Sequence, residues 1–297
     1  MSKALTDNLW LAVGFASLNA LMLAGMSLFA KLLATYFGPL EVTFFRNGFS
    51  LIALLAWLFF ARKLYLLKTD RPWAHLFRSS IGTAGVILGM WALSILSLSE
   101  TTILLFTSPL FTTLLSVVFL KERVGLLRIL AVICGFTGVI VMAEPWNGFS
   151  LPILGLVVGL GWGFFSGSVD TCLRWIGKTE NSSATVFYFM LLGVLVTSLH
   201  LPFAEFTDQS FSMPALLIIA GLGITGLISL MAKTQSFRLG KASVIAPVMY
   251  TMLIWTAAFD YFVWGNVPGK NVLLGGAIII GSNLFILYRQ TRLEKAE

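Results

Sequence analysis

Charge is scarce in this chain of 297 residues. Only 11% are Asp, Glu, Lys or Arg, against roughly 25% in an ordinary soluble domain. With 58% of residues hydrophobic, the shortage excludes a water-soluble globular protein. Cysteine is as sparse: Cys134 and Cys172 both fall in apolar stretches without ligand-like spacing, which excludes a disulfide framework and a metal centre. The two histidines, His75 and His200, lie near the ends of apolar stretches, and no acidic or His-rich cluster accompanies them. A phosphate-cradling loop of the form Gly-x4-Gly-Lys-Ser/Thr is missing too. No catalytic residue, metal or cofactor is therefore assigned, and active transport driven by nucleotide hydrolysis in this chain alone is excluded. A carrier remains, with a channel or a membrane-embedded enzyme as competing classes.

What the chain does have is apolar length. A helix rising 1.5 Å per residue needs about 20 apolar residues to cross a hydrocarbon core about 30 Å thick. Ten such segments recur, at about 9–34, 41–61, 74–96, 101–120, 125–143, 152–176, 184–204, 213–236, 242–263 and 271–289. The first has no small-residue cleavage site at its end and is expected to be a retained helix, not a signal peptide. An all-α, ten-span membrane protein follows.

The cationic excess is unevenly placed. Arg62, Lys63, Lys68 and Arg71 lie between segments two and three, Lys121, Arg123 and Arg128 between four and five, Lys178 between six and seven, and Arg238 and Lys241 between eight and nine. The alternate connections are nearly bare. By the positive-inside rule both termini are expected in the cytoplasm. The positive charge records topology, so the expected partners are membrane lipids and a small solute, and no nucleic acid.

Sliding the chain by 141–143 positions brings its halves into register. Phe119-Leu-Lys-Glu-Arg-Val124 lies over Phe262-Val-Trp-Gly-Asn-Val267, Gly82-Thr-Ala-Gly85 over Gly223-Ile-Thr-Gly226, Gly138 over Gly281 and Lys31 over Arg174. This reads as a duplication, with one five-helix repeat in 1–147 and another in 148–297. Five is odd, so the second repeat enters the membrane upside down. Two inverted-topology repeats of this kind let one site open alternately to either side.

Polar groups inside the apolar segments are the candidates for function. A charge in hydrocarbon costs about 2.5–3.5 kcal/mol even on lenient insertion scales, and Asp170 and Arg174 sit four residues apart within segment six. That spacing puts them on one helix face, continued by Trp162 and Ser166 and flanked by Gly155, Gly159, Gly163 and Gly167. A structural salt bridge and a solute site lined by Trp162, Ser166 and Asp170 both fit. Asn19, Trp91 and Tyr250 are further candidates for solute contact, each with interhelical packing as the alternative. Lys31, Glu41 and Arg46, near the facing ends of segments one and two, are expected to form a gating charge cluster with Arg174 and Lys233 as further members of the charge network. Asp260 is expected at the interface. Pro109 and Pro247 are expected to kink segments four and nine and expose a carbonyl to a cavity.

Glu41-Val-Thr-Phe-Phe-Arg46, Phe77-Arg78, Thr107-Ser-Pro109, Phe119-Leu-Lys-Glu-Arg123 and Ala246-Pro247 with Tyr250 together resemble the drug/metabolite transporter superfamily, in its ten-helix EamA-domain form. Within it the chain is most similar to a branch holding S-adenosylmethionine uptake carriers and related solute carriers. The resemblance implies a central cavity among spans 1, 3, 4, 6, 8 and 9 and secondary transport of small organic solutes. Aromatic groups with Asp170 favour a ring-bearing or cationic solute, whereas Arg46 and Lys233 favour a carboxylate. An amino-acid-derived zwitterion such as S-adenosylmethionine satisfies both; export of aromatic or other amino acids, or of organic anions, is the alternative. Proton coupling and solute exchange are both left open.

Overall fold

A computed structural model describes residues 2–119, 121, 125–176, 182–204, 206, 210–239 and 242–293. Among them, ten helical segments are long and apolar enough to cross a membrane. The first three spans are α1 (Ser2–Leu33), α2 (Pro39–Phe60) and α3 (Pro72–Ile95). Proline opens both α2 and α3, where its fixed φ suits the first turn and its missing N–H is no loss. The fourth span is broken into α4 (Leu98–Leu105) and α5 (Ser108–Phe119), and the fifth is α6 (Leu126–Ala143). The second half repeats this plan with α7 (Ile153–Ile176), α8 (Ser182–Ser198), α9 (Met213–Leu239), a broken span α10 (Ala242–Met249) and α11 (Met252–Trp264), and finally α12 (Lys270–Leu293).

The packing shows how the halves are related. α1 runs along α9, and its counterpart α7 runs along α3. α2 touches α9 while α8 touches α3, and α1 meets α10 and α11 while α7 meets α4 and α5. The pairs α2 with α8 and α6 with α12 each join a helix to its own counterpart. Exchanging every helix with its counterpart leaves these contacts unchanged, as a two-fold axis requires. Because five spans separate counterparts, that axis lies in the membrane plane, and the chain is an inverted repeat.

Small residues let the two halves approach closely. On α3, Gly82 faces Phe189 of α8, and its counterpart Gly223 on α9 faces Phe49 of α2. At the crossing of α6 and α12, a β-carbon on Gly138 would stand 2.7 Å from the carbonyl oxygen of Gly275. The ladder on α7 seats the broken fourth span: Gly159 faces Leu104, Gly163 faces Thr107 and Gly167 faces the Ser108 carbonyl.

Both broken spans part at matching places. Phe106 and Thr107 separate α4 from α5, and Tyr250 and Thr251 separate α10 from α11. At each break a threonine hydroxyl donates to the carbonyl three residues earlier, Thr107 to Leu104 at 2.6 Å and Thr251 to Val248 at 2.7 Å. At the first break a neighbouring helix enters: Asn283 of α12 donates to Phe106 O at 2.7 Å. The buried amide thus meets a carbonyl whose helical donor, the N–H of Leu110, has turned to Thr107 O.

Candidate functional site

Spans three and six, packed along one another, open a cavity of about 170 Å³ toward the end of the bundle that carries Arg62, Lys63, Lys68 and Arg71. Residues spaced by four on α7 supply one wall, with Trp162, Ser166 and Asp170 in a row. Three glycines on α3 make room for aromatic residues, for the ring itself at Gly82 and Gly89 and for the β-carbon and backbone at Gly85. Gly82 lies under Phe189, Gly85 under Phe165 and Gly89 under Trp162, where a β-carbon would stand 2.6 Å from the indole. Trp162 is buried, whereas Asp170 is exposed at the cavity wall. Lys233 of α9 is also exposed and lines the cavity.

Arg78 of α3 completes the charged wall. Its guanidinium lies over the Phe189 ring, 4.8 Å from the centroid, an arrangement attractive to a cation through the ring quadrupole. It is within electrostatic reach of Asp170. Two of its nitrogens, Nε and Nη1, are buried without a hydrogen-bond partner among the described residues. The described wall thus offers two cations, one carboxylate, one hydroxyl and three aromatic rings, a set suited to a solute that carries both a ring and ionised groups.

Other candidates lie elsewhere. Asn19 is buried between helices, accepting from Ser229 Oγ at 2.7 Å and donating to Met249 Sδ at 3.0 Å. Its amide joins α1 to α9 and α10. Trp91 stands 40% exposed on the outside of the bundle. Tyr250 sits at the break of the ninth span, edge-on to Phe106 with ring centroids 4.9 Å apart. Trp162 and Tyr250 are therefore not brought together in this conformation. Arg174 continues α7 in its backbone, and its side chain lies outside the described residues, as does the ion pair expected of it.

The expected cluster of Lys31, Glu41 and Arg46 does not form. Glu41 pairs with His200 at 3.1 Å. Arg46 donates from Nε to Met26 Sδ at 3.3 Å and from Nη1 to Asn47 Oδ1 at 3.0 Å. Lys31 donates to the Leu93 carbonyl at 3.2 Å and to that of Leu96, at the C-terminus of α3, and lies 5.5 Å from the Trp264 ring centroid. Helix C-termini attract cations. Asp260 and Glu100 attract it as well, around a polar cavity of about 320 Å³ at the end opposite the Arg62-to-Arg71 segment. Asp260, near the end of its span, is buried within the bundle and accepts from Leu98 N at 3.0 Å and from Ser99 N at 2.8 Å. Two N–H groups of the first turn of α4 are thus capped by a carboxylate from α11, while Ser97 and Glu100 form a capping box.

Sequence reasoning missed Arg78, Phe165 and Phe189 as cavity residues. Arg78 stands six residues into its span, near the basic end, where a cation reads as a topology signal. Its functional signal was the row of glycines beginning four residues later, which marks the face of α3 that packs on rings.

Comparison with known proteins agrees with this architecture. The EamA-like transporter family matches residues 10–143 and again residues 153–288. A protein of Rickettsia felis named as an S-adenosylmethionine uptake transporter is 29% identical over 94% of this chain and 93% of its own length. One of that name from Rickettsia prowazekii is 30% identical over 89% of this chain and 87% of its own. A riboflavin transporter of Vibrio cholerae is 30% identical over 78% and 76%. A crystal structure at 16% identity superposes with a TM-score of 0.56 over 99% of this chain and 100% of that one, a likeness of fold alone. With ten spans in two inverted halves and a family match that covers each half, the chain belongs to the EamA-like transporter family and is a multi-pass membrane transporter, not an enzyme.

Proposed function

We propose that the protein is a secondary carrier that moves a small, ring-bearing amino-acid derivative, such as S-adenosylmethionine, across a bacterial cytoplasmic membrane by alternating access. The observation that carries this reading is the cavity between α3 and α7, where Trp162, Phe165 and Phe189 meet Arg78, Asp170 and Lys233. Aromatic faces stack on a heterocycle and attract a cation, and charges of both signs accommodate a zwitterion. The names of the rickettsial relatives favour the same solute. In this reading the repeats 1–147 and 148–297 rock against each other about the cavity, with both termini cytoplasmic.

A flavin is the second reading, favoured by relatives named as riboflavin transporters. It leaves the three cavity charges without an obvious task, because a neutral flavin needs none of them. Export of aromatic amino acids would use the same charges and differs in direction. Proteoliposomes loaded with unlabelled S-adenosylmethionine, riboflavin or phenylalanine and given the labelled compound outside separate these readings. Saturable counterflow of S-adenosylmethionine alone is the expected result. Counterflow of riboflavin or phenylalanine in its place would transfer the site to that solute, and flux that never saturates would indicate a channel.

A further inference from the structure

We propose that Arg78 is the receptor for a carboxylate on the transported solute and that Asp170 receives an ammonium on the same solute, so that the cavity selects an intact amino-acid head group. This assignment rests on the reading of the α3–α7 cavity as the solute site. Its ground is the state of the arginine. A guanidinium is costly to bury with unmade hydrogen bonds, more so than a neutral donor, yet Arg78 Nε and Nη1 have no partner among the described residues. The guanidinium carbon is seated over the Phe189 ring, 4.8 Å from its centroid. A planar fork held on an aromatic face is prearranged for bidentate carboxylate binding. Each of the two edges that an arginine presents to a carboxylate includes one of these two nitrogens, so docking on either edge satisfies a buried donor.

The neighbours set the rest of the head group. Asp170 lies on the same cavity wall, within electrostatic reach of Arg78, and is exposed there. An arriving zwitterion replaces one attraction between Arg78 and Asp170 with two, carboxylate to Arg78 and ammonium to Asp170. The space agrees with this division. About 170 Å³ falls below the roughly 300–1,000 Å³ of pockets that enclose a whole drug-sized ligand, and it suits a head group whose ring extends along Trp162 and Phe165. A solute with the ring but without the carboxylate gains the stacking and leaves Arg78 unsatisfied.

The test compares S-adenosylmethionine with its decarboxylated analogue, which keeps the sulfonium and the adenine, by binding to purified protein. The wild type is expected to prefer the carboxylate-bearing compound by about tenfold or more, since a site built for a polar group rejects the analogue lacking it. Arg78→Gln is expected to bind both weakly and nearly alike. Arg78→Lys keeps the charge, so it guards against loss of fold in the first variant, and it is expected to discriminate less than the wild type. Equal binding of the two compounds by the wild type, or undiminished discrimination in folded Arg78→Gln and Arg78→Lys, overturns the assignment. If the wild type binds neither compound, the solute reading fails on its own. The same comparison is then made with phenylalanine and phenethylamine, where preference for the acid that disappears with Arg78 supports the assignment and equal binding overturns it.

Discussion

Asp260 of α11 receives two hydrogen bonds from Ser99 of α4, one from the backbone N–H at 2.8 Å and one from the hydroxyl at 2.7 Å. A third comes from Leu98 N at 3.0 Å. One buried carboxylate thus ties a helix of the second half to the start of a helix of the first. Hydrogen bonds to a charged group contribute about 1.5–3 kcal/mol, so Asp260→Ala is expected to lower stability by about 2–3 kcal/mol. Asp260→Asn, which keeps one acceptor, is expected to lose less. Thermal unfolding in detergent reads both, and a melting temperature unchanged in both variants would deny the tie any weight.

Gly89 governs the position of Trp162. A β-carbon there stands 2.6 Å from the indole, so Gly89→Ala is expected to push the ring into the cavity and destabilise the protein by about 1–3 kcal/mol, as overpacking does. The smaller ring in Gly89→Ala, Trp162→Phe is expected to restore part of that stability. No recovery in the double variant would place the strain elsewhere.

Trp162→Ala is expected to weaken solute binding by about 1–3 kcal/mol, the range for a lost aromatic stacking contact. The melting temperature of the variant, measured beside its affinity, separates loss of contact from loss of fold. Unchanged affinity in a folded variant would remove Trp162 from the site.

Because Asp170 is exposed in the cavity, Asp170→Asn is expected to abolish or uncouple transport while leaving the protein folded. A purely structural role as partner of Arg174 predicts the reverse: lost stability, partly recovered in Asp170→Asn, Arg174→Gln. Normal uptake by stable Asp170→Asn would exclude a part in transport.

Topology is tested by cysteine labelling. After Cys134 and Cys172 are replaced, a cysteine at Tyr65 is expected to react with an impermeant reagent only from the cytoplasmic side. Reaction from outside in intact cells would invert the orientation of the cavity.

The ten spans were legible because bilayer thickness sets one length for every helix, and the row Trp162, Ser166, Asp170 was legible because helical spacing puts such residues on one face. Neighbourhood in sequence misled where partners come from afar. Lys31, Glu41 and Arg46 lie within 16 positions of each other, yet Lys31 bonds to carbonyls near residue 95 and Glu41 pairs with His200. The capping role of Asp260 was not legible because nothing in its own span reveals a helix terminus contributed by residues 98 and 99. Arg78 looked topological because its partner ring, Phe189, stands on another helix in the other half.

The paired breaks give the tie at Asp260 a mechanical meaning. α4 and α11 are the parts of their spans that lie toward the end opposite Arg62–Arg71, and each is joined to the rest of its span through two non-helical residues. Since Asp260 clasps α4 to α11, those two pieces move as one leaf or the clasp breaks. A swing of that leaf bends the chain at Phe106–Thr107 and Tyr250–Thr251, where Thr107 and Thr251 brace the preceding carbonyls through their hydroxyls. In such a swing α5 and α10 would stay in place as the frame, with the two breaks as hinges and Asp260 as a latch.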